Sequence, residues 1–166
     1  MPRWEPEQKA EQSLLDRIID LEPKNPTEQP MTRAQSVRLL KASLRRDLEW
    51  LLNTRQTPFA ATSDYQELER SLYNYGIPDM TKINWESNKD RNYLARAMEA
   101  QVAIFEPRLT QVRVSPVGDI SALKSTLRFQ IEGLLDMDPA PERISFDTVY
   151  QLSSGEYQVK GDQGAG

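Results

Sequence analysis

The 166 residues include neither cysteine nor histidine, 21 Lys and Arg stand against 25 Asp and Glu for a formal charge of −4, and only 38% of the chain is hydrophobic. Disulfides, thiolate nucleophiles, thiol-containing zinc sites and imidazole general bases are thereby excluded, which leaves carboxylate, Lys, Tyr or Ser/Thr chemistry and oxygen-only metal sites. A pI near 5.0 disfavours nucleic acid and anionic membranes as partners, and a mean hydropathy of −0.67 implies one modest core with tails or partner-facing segments beside it.

The first 12 residues are polar, and the opening Met1-Pro2-Arg3-Trp4-Glu5-Pro6 lacks the apolar run of a signal peptide. No later stretch is long and apolar enough to span a bilayer, so a cytoplasmic protein without membrane insertion is expected. Residues 13–21 place apolar pairs one helical turn apart, the pattern of a short amphipathic element. Pro23, Pro26 and Pro30 then deny a continuous helix and mark a linker. Such an element either packs back on its own domain or docks on a partner; its candidate contact residues are Leu14, Leu15, Arg17 and Ile18.

Residues 35–53 carry the clearest helical signal, with Val37, Leu40, Leu44, Leu48, Leu51 and Leu52 on one face and Ser36 or Thr32 as the cap. Arg38, Lys41, Arg45, Arg46, Asp47 and Glu49 read as a solvated, mainly basic face that pairs along the helix. Trp50 suits either an interface anchor or core lining. Residues 65–72 form a short helix ended by Tyr75-Gly76 and Pro78. A second long helix, capped by Asn88 or Asp90, runs to Phe105 and buries Leu94, Ala97, Met98, Gln101, Ile104 and Phe105.

Beyond Pro107 the periodicity turns from helical to alternating. A strand covers residues 109–115, Gly118-Asp119 supplies a turn, and Leu123, Ser125, Leu127, Phe129 and Ile131 share one side of a longer strand. Residues 144–152 and 156–159 flank Ser153-Ser154-Gly155 as a hairpin, expected at a sheet edge where another chain's strand can be added. The fold class is α+β, with N-terminal helices packed on a three- or four-stranded antiparallel sheet that ends in a C-terminal hairpin. Residues 1–34 form a docking segment and linker, 35–160 the single domain, and 161–166 a flexible tail.

Glu106-Pro107-Arg108 stands where the last helix gives way to the first strand. Pro107 either simply stops the helix while the charges bond local backbone, or Glu106 and Arg108 make charge-assisted contacts with a partner, for which the planar guanidinium fork is suited. Glycoside hydrolysis needs no His or Cys, only two carboxyl groups with one pKa raised. Glu49, Asp64, Glu67 and Glu106 form no cleft pattern in the sequence, and Arg108 favours the charged form of Glu106.

Four segments in one order carry a resemblance: Ser13-Leu14-Leu15-Asp16-Arg17-Ile18; Arg46-Asp47-Leu48-Glu49-Trp50-Leu51-Leu52-Asn53-Thr54-Arg55; Asn74-Tyr75-Gly76-Ile77-Pro78-Asp79; and Phe105-Glu106-Pro107-Arg108-Leu109. From about residue 13 to residue 159 the chain resembles the TssE family of type VI secretion baseplate subunits, and with it the lysozyme-like wedge protein of contractile-tailed phage baseplates. The resemblance implies a structural protein without catalytic residues, cofactor, metal or small-molecule substrate, in a cytoplasmic baseplate docked to the inner-membrane complex. Its implied partners are the wedge subunits TssF, TssG and TssK and the sheath proteins TssB and TssC. Glu106, Pro107 and Arg108 match the family's Glu-Pro-Arg motif, which packs on the helical core bundle of the wedge, while the C-terminal strands take up sheath chains by strand addition. A peptidoglycan hydrolase and a free-standing cytoplasmic adaptor stand as alternatives; co-purification and cell-wall clearing distinguish the three.

Overall fold

The computed structural model describes residues 13–18, 32–58, 65–80, 83–118, 126–137 and 140–161. The proline linker, the tail from residue 162, Asp64, Asp119, Leu123 and Ser125 lie outside the described residues.

Helix α1 (Leu14–Ile18) precedes the long helix α2 (Arg33–Asn53). Of the two caps considered for α2, Thr32 is used: its hydroxyl accepts from Gln35 N and the Gln35 side chain accepts from Thr32 N, a reciprocal box that fixes the first turn. Ser36 sits inside the helix and is buried. Leu40, Leu44, Leu48, Leu51 and Leu52 are buried as their spacing predicts. Helix α3 (Gln66–Glu69) and a 3-10 turn (Leu72–Asn74) follow.

Helix α4 (Asn88–Phe105) is capped by Ser87, whose hydroxyl accepts from Asp90 N, and not by Asn88 or Asp90 as expected. Its buried stripe is Leu94, Ala95, Met98 and Val102, which keeps Leu94 and Met98 of the side expected from sequence and adds Ala95 and Val102. The i, i+4 row through Leu94, Met98 and Val102 is the one turned to the core, which leaves Ile104 exposed and Ala97, Gln101 and Phe105 half-buried.

Four strands, β1 (Leu109–Pro116), β2 (Thr126–Leu135), β3 (Glu142–Gln151) and β4 (Glu156–Lys160), form an antiparallel meander in the order β1-β2-β3-β4. The fold is thus α+β, with α4 packed on β1 and α2 on β4. Alternating residues of β2 (Leu127, Phe129, Ile131, Leu135) and β3 (Ile144, Phe146, Thr148, Tyr150) face the helices and are buried. The other sheet face carries polar side chains such as Gln130 and Ser145, which bond each other at 3.0 Å.

Simple alternation cannot bury both Leu109 and Val114, five positions apart. Gln111, at φ 51°, resolves the conflict: Gln111 and Val112 stand opposite Gly133 alone, and this extra residue returns Val114 to the face of Leu109. Gly155, at φ 73°, completes the β3–β4 connection, so the hairpin lies at the sheet edge as expected.

Candidate assembly interface

The corner between α4 and β1 is built by backbone constraints. Glu106 N donates to Val102 O at 2.9 Å as the last helical bond, Pro107 has no N–H to continue the ladder, and Leu109 N donates back to Glu106 O at 3.1 Å. Pro107 is therefore exposed at the apex, while Glu106 is only 5% exposed.

The Arg108 side chain folds back over this corner. Its Nε and Nη2 donate to Glu106 Oε1 and Oε2 at 2.6 and 2.5 Å, its Nη2 also reaches Asp47 Oδ2 at 2.6 Å, and its Nη1 donates to Ser43 Oγ at 3.2 Å. Burial pulls the guanidinium pKa down, but the Glu106 and Asp47 carboxylates outweigh it and hold the charge on. The two readings of Glu106-Pro107-Arg108 thus meet a third arrangement in the free chain: the charges satisfy each other and α2.

Asp47 extends the chain of charges. Its Oδ1 accepts from Arg46 Nε and Nη2 at 3.0 and 2.8 Å, and Arg46 Nη2 reaches Asp16 Oδ1 of α1 at 2.8 Å. Asp16 Oδ2 in turn accepts from Ser13 Oγ at 2.6 Å. Burial raises the Asp16 pKa, yet the Ser13 and Arg46 contacts prevail and leave it lowered. The polar face of α2 is only in part the solvated surface expected: Arg38 and Arg45 are exposed, but Asp47 and Arg46 tie α2 to the corner and to α1, and Lys41 crosses to Glu142 of β3 at 2.7 Å.

In helix α1 Asp16 faces α2, while Leu15 is 49% and Ile18 79% exposed. The side chains of Leu14 and Arg17 lie outside the described residues. The Arg46 guanidinium that holds Asp16 also sits 4.9 Å from the ring centre of Trp50, whose 52% exposure places it on the surface and not in the core.

Two turns further along, α2 ends in a second set of ties. The Asn53 carboxamide accepts from Tyr157 N at 2.8 Å and donates to Tyr157 O at 3.0 Å, bonding both outward backbone groups of one β4 residue. Ile77 N donates to Thr54 O and Gln56 N to Ile77 O, each at 2.9 Å. Gly76 makes this approach possible: at φ 108° a Cβ there would lie 2.4 Å from Thr54 O. Gln101 of α4, with its amide turned to donate, reaches Asn74 O and Gly76 O at 2.9 and 3.0 Å. At the opposite margin, Glu99 of α4 accepts from Val114 N of β1 at 2.9 Å.

The structure thus brings Glu106 and Arg108 together with Asp47, Arg46 and Asp16, and the segments that carry the resemblance converge on α2. Asp47, Arg46 and Asn53 were missed as individual site residues, because each acts across the fold on a partner distant in sequence. Adjacent opposite charges on α2 were the only local signal for the first two. Glu106 is engaged on both oxygens by Arg108, Glu67 is exposed, and among the described residues no three acidic side chains are placed to hold a metal ion.

No curated protein matches the chain. Residues 38–140 match a family model described as Baseplate wedge protein gp25, a span that includes Arg46, Asp47, Asn53, Gly76 and Glu106-Pro107-Arg108 and stops short of β3 and β4. That span exceeds half of the 166 residues and takes in the Glu106-Pro107-Arg108 corner together with the part of α2 that carries Arg46, Asp47 and Asn53, so the chain belongs to the baseplate wedge protein gp25 family.

Proposed function

We propose that this chain is the TssE-type wedge subunit of a type VI secretion baseplate, a structural protein and not an enzyme. In this reading residues 1–34 form the docking segment and its linker, 35–160 the wedge domain, and 161–166 a flexible tail. The corner at Glu106-Pro107-Arg108, together with Leu15 and Ile18 of α1, meets the larger wedge subunits TssF and TssG and, through them, TssK. The edge strand β4 receives sheath chains TssB and TssC by strand addition, in a cytoplasmic baseplate docked to the inner-membrane complex.

The observation that carries the reading is the charged relay from Glu106 through Arg108, Asp47 and Arg46 to Asp16, which holds exposed Pro107 and the exposed apolar side chains of α1 on one scaffold. A guanidinium network closed on itself fixes surface shape without needing a partner to neutralise it, as a pre-organised docking surface requires. Against the hydrolase alternative stands Glu106, both of whose oxygens are taken up by the Arg108 guanidinium and so are not presented to a substrate.

Leu15→Asp combined with Ile18→Asp tests the reading, since both side chains are exposed and the fold does not depend on them. Affinity-tagged parent protein co-purifies TssF and TssG, and the double variant loses them at unchanged circular dichroism. Recovery of wedge subunits at parental levels removes α1 from the interface. Absence of any wedge or sheath protein from the parent pull-down refutes the baseplate role and favours the adaptor.

A further inference from the structure

We infer that Asn53 is the stop that sets where a partner strand begins to pair along β4. This inference rests on the strand-addition reading above and adds to it the register and the residue that determines it.

In an antiparallel ladder the residues of an edge strand turn both backbone groups alternately inward and outward. Tyr157 is an outward residue, since Asn53 takes its N–H and its C=O from the open side. It pairs with Tyr150 across β3, so the next outward residue is Val159, paired with Thr148, with Gly161 following. Gln158 and Lys160 point their backbone groups inward to Val149 and Asp147.

The Asn53 carboxamide offers one acceptor and one donor, the pair that an incoming strand would present at that position. It is held in place by a further bond from its amide to Glu49 O at 2.9 Å, so it occupies the Tyr157 position as a fixed one-residue strand. An extended segment of another chain therefore finds its first free outward pair at Val159. A register beginning two residues earlier is closed, and a slip of one residue would present no backbone groups at all. Because the Tyr157 and Val159 side chains are buried against the helices, the added strand is specified by backbone pairing and by the exposed Glu156, Gln158 and Lys160 on the outer face.

Single-amide hydrogen exchange of the full chain, alone and with the cognate TssB–TssC sheath dimer, tests this. In the parent, Tyr157 N–H exchanges slowly in both states, and Val159 N–H slows by about tenfold or more when sheath protein is added. In Asn53→Ala, Tyr157 N–H exchanges fast in the free chain and slows together with Val159 on addition, because the pairing now starts one outward position earlier. Asn53→Ser, too short to span both Tyr157 groups but able to cap α2, gives the same result and serves if the alanine variant does not fold. Val159 slowing while Tyr157 stays fast in the bound variants overturns the stop and leaves strand addition standing. No slowing at Val159 in the parent overturns strand addition itself.

Discussion

Replacing Arg108 by Met removes the guanidinium and keeps most of the apolar stem. Glu106 then loses its Nε and Nη2 donors at once, and its nearly buried carboxylate has no other described partner; Asp47 loses one donor but keeps Arg46. Breaking a buried ion pair from one side costs about 3–5 kcal/mol, and because Arg108 and Asp47 are each about a fifth exposed the lower end applies, roughly 3 kcal/mol. For a chain of this size that corresponds to a fall in Tm of about 6–12 °C. Urea denaturation at neutral pH, followed by circular dichroism, measures the difference between Arg108→Met and the parent. A loss below about 1 kcal/mol, the level of a surface pair, would refute the view that the corner is a buried structural clamp. Asp47→Asn serves as the internal comparison: Arg108 keeps its bidentate grip on Glu106, so this variant loses less than Arg108→Met. Weakened partner binding by Arg108 variants is therefore to be read only after correction for the folded fraction.

Two further outcomes follow from the same structure. Thr148 is fully buried on the helix-facing side of β3 and its hydroxyl has no partner among the described residues, so Thr148→Val, close in shape, gains about 1 kcal/mol, read as a higher urea midpoint; a lower midpoint would show that the hydroxyl has a partner. The Asp16 pKa lies below the ordinary aspartate value of 3.8, so the tie between α1 and α2 persists above that value and is lost as pH falls through the lowered one. Amide chemical shifts of Ser13 and Asp16 should hold constant down to about pH 4 and then move together; movement already at pH 6 contradicts the assignment.

Local patterns and tertiary ties differed in how far the sequence disclosed them. The leucine row of α2, the change from helical to alternating periodicity after Pro107 and the Ser153-Ser154-Gly155 turn are local features, and each maps onto the element it predicts. The α4 stripe was legible only in part: Leu94 and Met98 lie on it, but burial follows their i, i+4 row to Val102 and leaves Ile104 of the apolar run outside. No propensity rule anticipates Gln111 at positive φ; only the parity conflict between Leu109 and Val114 betrays a bulge. Glu106-Pro107-Arg108 was visible as a motif, but its partners Asp47 and Ser43 were not, since 61 and 65 residues separate them from Arg108. Asn53 looked like a helix end and proves to be a link between helix and sheet edge.

Asp47 and Asn53 stand six residues apart on one uninterrupted helix, about 9 Å along its axis. A tensile load applied at β4 therefore divides between the β3 ladder and the Asn53 carboxamide, and the share taken by Asn53 runs straight down α2 to the Arg108 clamp. The helix acts as a tie rod between the sheet margin and the α4–β1 corner, so force entering at one end reaches the other without first having to shear the sheet.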